Sequence, residues 1–342
     1  MSGDRPAEDD LVRLIRGLVR RRAPGLLTGV GDDCAVLETR GGAALLATTD
    51  LLVEDVHFRR RWATPTDIGW KSLAVNISDI AAMGGRPRWG LIALACPAAV
   101  TVDEAEAFYA GVQALATEHD VAIVGGDTAA SPGGWIVNVT LLGEAVRAPL
   151  VRSSARIGDV IAVTGSLGRS AAGLALLEAM PEPAGVAGGA RADVTAAHLR
   201  PRPRTREGQW LSEAGGVTSM IDLSDGLVTD LGHLCEESGV GARVDLGRVP
   251  VDATVHAVAR ALDGNALAWA TGGGEDYELL LTCAPEAFDR LADGLARATG
   301  TKLTAMGQMT QAAEGIQYLD ASGRAVSVRS GFEHFVTGRA RA

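Results

Sequence analysis

The stretch TPTDIGWKSLAVNISDIAAMGGRP, residues 64–87, decides how the fold is read. Thr64, Pro65 and Asp67 have the form of a helix start: a cap, a proline at the first helical position and an acid at the third. The helix is expected to run to about Met83. Gly84-Gly85 and Pro87 stop it, because glycine takes the left-handed conformation that closes a helix and proline cannot continue the ladder. Ile77, Ile80 and Ala81 surround Asp79, so this acid borders apolar surroundings and needs a partner.

Towards the N-terminus, LVRLIRGLVRRR (11–22) places Leu11, Leu14, Ile15 and Leu18 at helical spacing with arginines opposite, which predicts an amphipathic surface helix with solvated arginines. Ala44–Thr49 predict a strand ending at Asp50. Val121–Val124 read as a buried strand running into Gly125-Gly126-Asp127-Thr128, and Ile136–Leu142 as an alternating strand. Around Arg147–Gly158 the pattern restarts. Val160–Thr164 suit a strand, Gly165–Gly168 a turn and Ser170–Met180 a helix, as at the opening of a second domain.

The expectation is therefore an α/β protein of two domains, 1–147 and 148–342, which agrees with a length of 342 residues. Pro181–Ala192, rich in Pro, Gly and Ala, is expected to be a mobile surface loop. In the run His198–Arg204, the prolines enforce extended backbone, and its arginines suit either a phosphate or a brace to the other domain. Met220–Leu223 read as a strand before Ser224-Asp225-Gly226, and Leu227–Glu237 as a helix. Further strand and helix candidates are Ala242–Leu246, Val251–Leu262, Tyr277–Cys283, Pro285–Thr299 and Lys302–Met306.

Composition limits the chemistry. A net charge of −10 opposes general affinity for nucleic acid, which needs basic surface to displace phosphate counterions, and a polyanionic substrate would need metal escorts. Cys34, Cys96, Cys235 and Cys283 are scattered without a CxxC pair and read as buried thiols in a reducing compartment. The start MSGDRPAEDD lacks an apolar signal core, and no stretch approaches the roughly 20 apolar residues of a membrane span, so a cytoplasmic location with no membrane partner is expected. No GxxxxGK[ST] occurs, and the chain has two lysines, Lys71 and Lys302, neither after a glycine-rich loop. No dinucleotide fingerprint and no GxSxG are present. Of the six histidines, His57 alone lies close in sequence to an acidic turn.

Acids beside Gly, Ser or Thr recur at Gly31-Asp32-Asp33, Thr48-Thr49-Asp50, Ser78-Asp79, Gly125-Gly126-Asp127-Thr128, Asp222-Leu223-Ser224-Asp225 and Gly273-Gly274-Glu275-Asp276, each where an apolar element is expected to end. Hard oxygen ligands of this kind suit magnesium, and the adjacent glycines let backbone and phosphate approach closely. Taken singly, an Asp before a helix is a cap and Gly-Asp is a turn; as a set they outline a diphosphate or triphosphate site.

The blocks GDDCAVL (31–37), TTDLLVEDVHF (48–58), WKSLAVNISDIAAMGGRP (70–87), GGDT (125–128), SMIDLSDGL (219–227), GGEDYELL (273–280) and GFEHF (331–335) closely resemble the bacterial thiamine-monophosphate kinase family, over about residues 25 to 335. The resemblance implies two α/β domains with mixed sheets, the N-terminal one of the aminoimidazole ribonucleotide synthetase type and pairing across a homodimer, with ATP in the resulting cleft. It implies several magnesium ions at Asp33, Thr48, Thr49, Asp50, Asp79, Asp127, Asp222 and Asp225. ATP contacts carry over to Tyr109, Gly126, Asp127, Arg152 and Ser224, and thiamine monophosphate contacts to His57, Glu275 and Phe332. Transfer would be direct and metal-assisted, with no protein group as acid, base or nucleophile. Two alternatives share the aspartates: another ATP-dependent ligase or cyclase of the superfamily, and a magnesium-ATP sensor that transfers nothing. SDIAAMG, DLSDGL and GGEDYELL, with no N-terminal Cys or Lys nucleophile, separate the first; intact matches at every metal position oppose the second. The N-terminal Glu8-Asp9, where the family has an aromatic after the acid, and the tail after Phe335 depart from the pattern.

Overall fold

The computed structural model describes residues 8–19, 23–41, 44–179, 183–329 and 331. The first half forms α1 (Glu8–Leu18), β1 (Leu26–Thr28), β2 (Ala35–Glu38), β3 (Ala44–Val53), α2 (Pro65–Ala82), β4 (Gly85–Cys96), α3 (Val102–Glu118), β5 (Ala122–Ala130) and β6 (Ile136–Ala145). The second half forms β7 (Val160–Thr164), α4 (Arg169–Glu178), α5 (Gly188–Leu199), α6 (Thr205–Ala214), β8 (Val217–Asp222), α7 (Leu227–Ser238) and β9 (Val240–Asp245). It continues with α8 (Ala253–Ala261), α9 (Ala266–Gly272), β10 (Leu279–Cys283), α10 (Pro285–Thr299), β11 (Leu303–Gln311), β12 (Ile316–Leu319) and β13 (Ala325–Val326).

The helix expected from Thr64 is α2, and its capping box is complete: Asp67 N donates to Thr64 Oγ1 at 3.2 Å and Thr64 N donates to Asp67 Oδ2 at 2.9 Å. Gly84, at φ +67°, closes the other end. Nearly every residue of α2 is buried, so it is a central helix and not a surface one. Close approach needs glycine at two contacts. A Cβ on Gly69 would lie 2.0 Å from Phe108 O of α3, and one on Gly208 of α6 would lie 2.2 Å from Ala81 O.

Two mixed sheets flank this helix. The first has the order β1-β2-β3-β6-β4-β5, antiparallel except for β4 with β5. One of its faces packs on α2 and α3 around Leu46, Ile77, Ile92, Phe108 and Val139. Its other face is open and carries Leu51, Leu91 and Ile136. The second has the order β13-β12-β9-β11-β7-β10-β8 and buries both faces of its central strands. Ile161, Val163 and Leu280 face the core under α7, whereas Ala162, Leu279 and Leu281 face α6 and α10. Burial on both faces is why all five residues of LLLTC in β10 are buried, Thr282 included, with no polar residue facing solvent in alternation.

Several expectations change. β3 continues through Asp50 to Val53 because β6 pairs with it down to Ile136, and Asp127 lies inside β5, so these acids do not mark strand ends. β5 is an exposed edge strand, not a buried one. α5 begins inside the segment expected to be a loop, at Gly188; residues 180–182 lie outside the described residues. Of Val251–Leu262, the helix α8 forms after Asp252 caps it by accepting from Val255 N at 2.8 Å. The arginines of α1 are not simply solvated: Arg16 Nη1 meets Glu237 Oε1 at 2.5 Å and Arg13 Nη2 meets Glu236 Oε2 at 3.4 Å, both on α7. All four cysteines are buried and free.

The arginine run 200–204 is a brace. Arg200 pairs with Asp67 and Arg202 with Glu118 at 3.4 Å, while Trp70 Nε1 donates to Pro201 O at 2.8 Å. Arg204 holds Glu278 within the second half at 2.5 Å. Gly208→Ala is expected to push α6 off α2 and lower the unfolding free energy by about 1–3 kcal/mol in urea melts; unchanged stability would mean that the helices have room to separate.

Candidate active site

Strand period, helix period and the end of one strand bring acids from four segments together. In β3, residues two apart share a face, so Thr48 and Asp50 point towards α2 and Thr49 points away. Thr48 Oγ1 donates to Asp79, whereas Thr49 bonds Val139 O and Thr140 on the outer side of the sheet. On α2, neighbouring residues diverge by about 100°. Asp79 therefore meets β3 while Ser78 Oγ donates to Asp222 Oδ2, at the end of β8, at 2.5 Å. The loop after β1 adds Asp33, which is paired with Arg152. Carboxylate oxygens of Asp33, Asp79 and Asp222 all lie within 4.8 Å of one another.

Such crowding has an electrostatic consequence. Burial, reinforced by Asp33, pushes Asp222 up to about 8, and burial with Asp33 pushes Asp32 up to about 7. Burial and the charges of Asp50 and Asp222 raise Asp79 well above the carboxylate range, and burial raises Asp50 to about 6. Arg152 is the cation paired into the group, its backbone N also donating to Asp32 Oδ2 at 3.2 Å. Among the described residues, the buried oxygens Oδ2 of Asp33 and of Asp50 have no hydrogen-bond partner. Hard carboxylate donors, excess negative charge and two orphaned oxygens are the features a divalent cation fits.

A second group forms beside it. Asp225, Asp230 and His233 bring ligand atoms within 4.8 Å of one another, the last two sharing a face of α7. Asp230 Oδ2 accepts from Gly226 N at 2.9 Å and Asp225 N at 3.2 Å, which shapes the turn before α7. Gly331 returns to this turn, its N donating to Thr229 Oγ1 at 3.1 Å; a Cβ there would lie 1.9 Å from Asp225 O.

A third corner joins the two halves. Glu275 and Tyr277 both have positive φ, +57° and +51°, and are pinned to the neighbouring turn by Glu275 N to Ser224 O at 2.7 Å and Tyr277 N to Leu223 O at 2.9 Å. Lys71 Nζ lies 2.7 Å from Glu275 Oε1, and His198 Nδ1 lies 3.2 Å from Glu275 Oε2. Burial alone would raise Glu275, but Lys71 and His198 more than offset it and hold this acid well below the usual range. His57 Nδ1 accepts from Val53 N at 3.0 Å, which leaves the ring proton of a neutral His57 on Nε2. His57 is the histidine closest in sequence to an acidic turn, and folding adds two more histidines beside acids: His198 meets Glu275, far away in sequence, and His233 meets Asp230 one turn earlier on α7.

Residues 31–145 match the family described as AIR synthase related protein, N-terminal domain, and residues 156–319 the corresponding C-terminal domain. The thiamine-monophosphate kinase of Salmonella typhimurium is 41% identical over 314 residues, covering 91% of this chain and 92% of that protein. This chain belongs to the thiamine-monophosphate kinase family. Among solved structures, AaThiL complexed with AMPPCP and TMP matches with a TM-score of 0.83 and 32% identity over 98% of this chain and 100% of that one. The thiamine-monophosphate kinase of Stenotrophomonas maltophilia matches with a TM-score of 0.74 and 36% identity, over 93% and 96%.

The positions nominated by the family motifs fall into distinct places. Asp33, Thr48, Asp50, Asp79, Asp222 and Arg152 come together, and Asp225 and Ser224 sit in the adjoining turn. His57 and Glu275 meet through Lys71. Asp127 and Thr49 lie on the opposite, open face of the first sheet, where the cross-strand row Leu51, Asn138, Ala93, Asp127 runs. Gly126 is beside Asp127 on β5, where a Cβ would lie 1.8 Å from Ile92 O. Tyr109 is on α3 next to Phe108, whose carbonyl meets Gly69, about 15 Å along α2 from Asp79. Phe332 lies outside the described residues. Reading the sequence missed Lys71, Ser78, Asp230, His198 and His233; a lone lysine inside an apolar helix was the available signal for the first.

Because the unfolded carboxyls sit near 3.8, folded Asp222 and Asp32 hold protons that the unfolded chain has released. Their contribution to stability is full below about pH 4 and is lost as pH rises towards about 8. Chelator-treated protein is expected to melt at lower temperature at pH 8 than at pH 6, and magnesium to raise the melting temperature more at pH 8; equal shifts at both pH values would contradict a cation in this cluster.

Proposed function

We infer that this chain transfers the γ-phosphate of ATP to thiamine monophosphate, giving thiamine diphosphate and ADP. The observation that carries the reading is the convergence of Asp33, Asp79 and Asp222 within 4.8 Å in a chain of this family. A relative of the same fold was solved as AaThiL complexed with AMPPCP and TMP, which supports ATP and thiamine monophosphate as the two substrates.

The phosphate oxygen of thiamine monophosphate attacks the γ-phosphorus in line, and the bond to the β-phosphate oxygen of ATP breaks. No general base is required, because a phosphate monoester is largely deprotonated near neutral pH. Magnesium held by Asp33, Asp50, Asp79, Asp222 and, in the adjoining turn, Asp225 would screen the repulsion between the two anions and stabilise the transferring phosphoryl group. Thr48 orients Asp79 and Ser78 orients Asp222, so these carboxylates are held in place before substrates arrive. Arg152 suits a clamp on phosphate, being rigidly paired with Asp33. His57 and Glu275 suit the thiamine side, where a carboxylate can face the thiazolium cation, and Phe332 would add an aromatic face.

The remaining assignments belong to this same proposal: domains 1–147 and 148–342, a cytoplasmic location and a homodimer. The open face with Leu51, Leu91 and Ile136, and the free edge of β5, favour pairing with a second copy. That pairing would give Asp127, Thr49, Gly126 and Tyr109 a site across the interface. Among the described residues, no helix is long and apolar enough to cross a membrane.

Incubation with ATP, magnesium and thiamine monophosphate is expected to yield thiamine diphosphate, with Asp222→Asn slower by about a thousandfold and still folded. Ordinary turnover by that variant would overturn the metal role. Leu91→Asp is expected to give monomers in sedimentation analysis, and an unchanged molecular mass would remove the open sheet face from the interface.

A further inference from the structure

The basic residues of this chain are arginines except at two positions, and one of the two lysines is buried in the middle of α2. Lys71 is only 3% exposed, so it has not been placed there for solubility. Its Nζ reaches two groups from different segments: Glu275 Oε1 at 2.7 Å and the backbone carbonyl of His57 at 3.1 Å. An ammonium is a compact charge with three donors, and can serve a carboxylate and a carbonyl that a planar guanidinium would meet only with altered packing.

The two groups it holds are the ones read above as facing thiamine monophosphate. Glu275 sits on strained backbone, with its second oxygen near His198 Nδ1, which is itself 3.0 Å from Ser170 Oγ. The turn carrying His57 is fixed by Val53 on one side and by Lys71 on the other. Glu275 N in turn grips Ser224 O, between Asp222 and Asp225. A single ammonium therefore sets the spacing between the His57 turn and the Glu275 loop, which come from different halves of the chain.

We propose that Lys71 is a positioning residue for thiamine monophosphate: it aims Glu275 and the His57 turn at the substrate without touching it, and takes no part in holding ATP. This rests on the reading that His57 and Glu275 face that substrate. A brace with no other role would lose stability on substitution and would treat both substrates alike.

The test is a cycle of Lys71→Met, Glu275→Gln and the double variant in the full-length protein, with KM for each substrate, kcat and melting temperature measured. Lys71→Met is expected to raise KM for thiamine monophosphate by about tenfold or more while KM for ATP stays within about twofold. The double variant is expected to be no worse than Glu275→Gln in KM for thiamine monophosphate, since both changes act through one carboxylate, and to melt above Lys71→Met because no unpaired buried charge remains. Where Lys71→Met does not fold, Lys71→Gln, which keeps a donor, should show the same split with a smaller rise. Equal changes for both substrates, no change, or additive effects in the double variant would overturn the proposal. If Glu275→Gln leaves KM for thiamine monophosphate unchanged, the placement of Glu275 in the substrate site fails with it; if Glu275→Gln raises that KM and Lys71→Met does not, only the role of Lys71 fails.

Discussion

Like charges confined in a shared, poorly hydrated space repel each other, and Asp33, Asp50, Asp79 and Asp222 converge under that constraint beside Arg152. One guanidinium does not neutralise them, so protons or cations must share the site. The arrangement can exist because α2 is locked from all sides before any ligand binds. Its threonine cap, its contacts at Gly69 and Gly208 and the arginine brace from residues 200–202 leave Asp79 and Ser78 no freedom to turn away.

The same helix carries an opposite electrostatic situation two turns earlier. Near Asp79, burial and neighbouring carboxylates push acids up; at Lys71, a buried cation holds Glu275 down. One end of the junction thus has the crowded carboxylates that suit a cation and its phosphates, while the other offers an ionised carboxylate partly compensated by lysine, with 25% of its side-chain surface open. Such a division suits a substrate with a phosphate at one end and a positively charged ring at the other, because each end is desolvated against groups of matching charge.

Much of the scaffold was legible. The cap at Thr64, the stop at Gly84, the strand–turn–helix at 160–178 and the helix from Pro285 to Thr299 each depend on local rules that short windows contain. Apolar runs were harder to bound. Asp50 and Asp127 looked like strand ends, yet a backbone ladder continues wherever a partner strand supplies hydrogen bonds, whatever the side chain between. The start of α5 was hidden for a related reason, since Gly and Ala are poor signals until a neighbour packs on them; a Cβ on Gly173 of α4 would lie 2.0 Å from Val194 O of α5.

The sequence by itself determined the chemistry available: an acidic chain without a P-loop, aspartates flanked by small residues, buried thiols and motifs in the order of one kinase family. Only the tertiary structure decided which aspartates meet. Asp33, Asp79 and Asp222 are separated by long stretches of chain and converge through strand pairing and the turn of α2, whereas Thr49 and Thr48 are adjacent and point to opposite faces. Residue types fix what a side chain can bond; the direction in which the backbone aims it comes from long-range packing, which no local window of sequence contains.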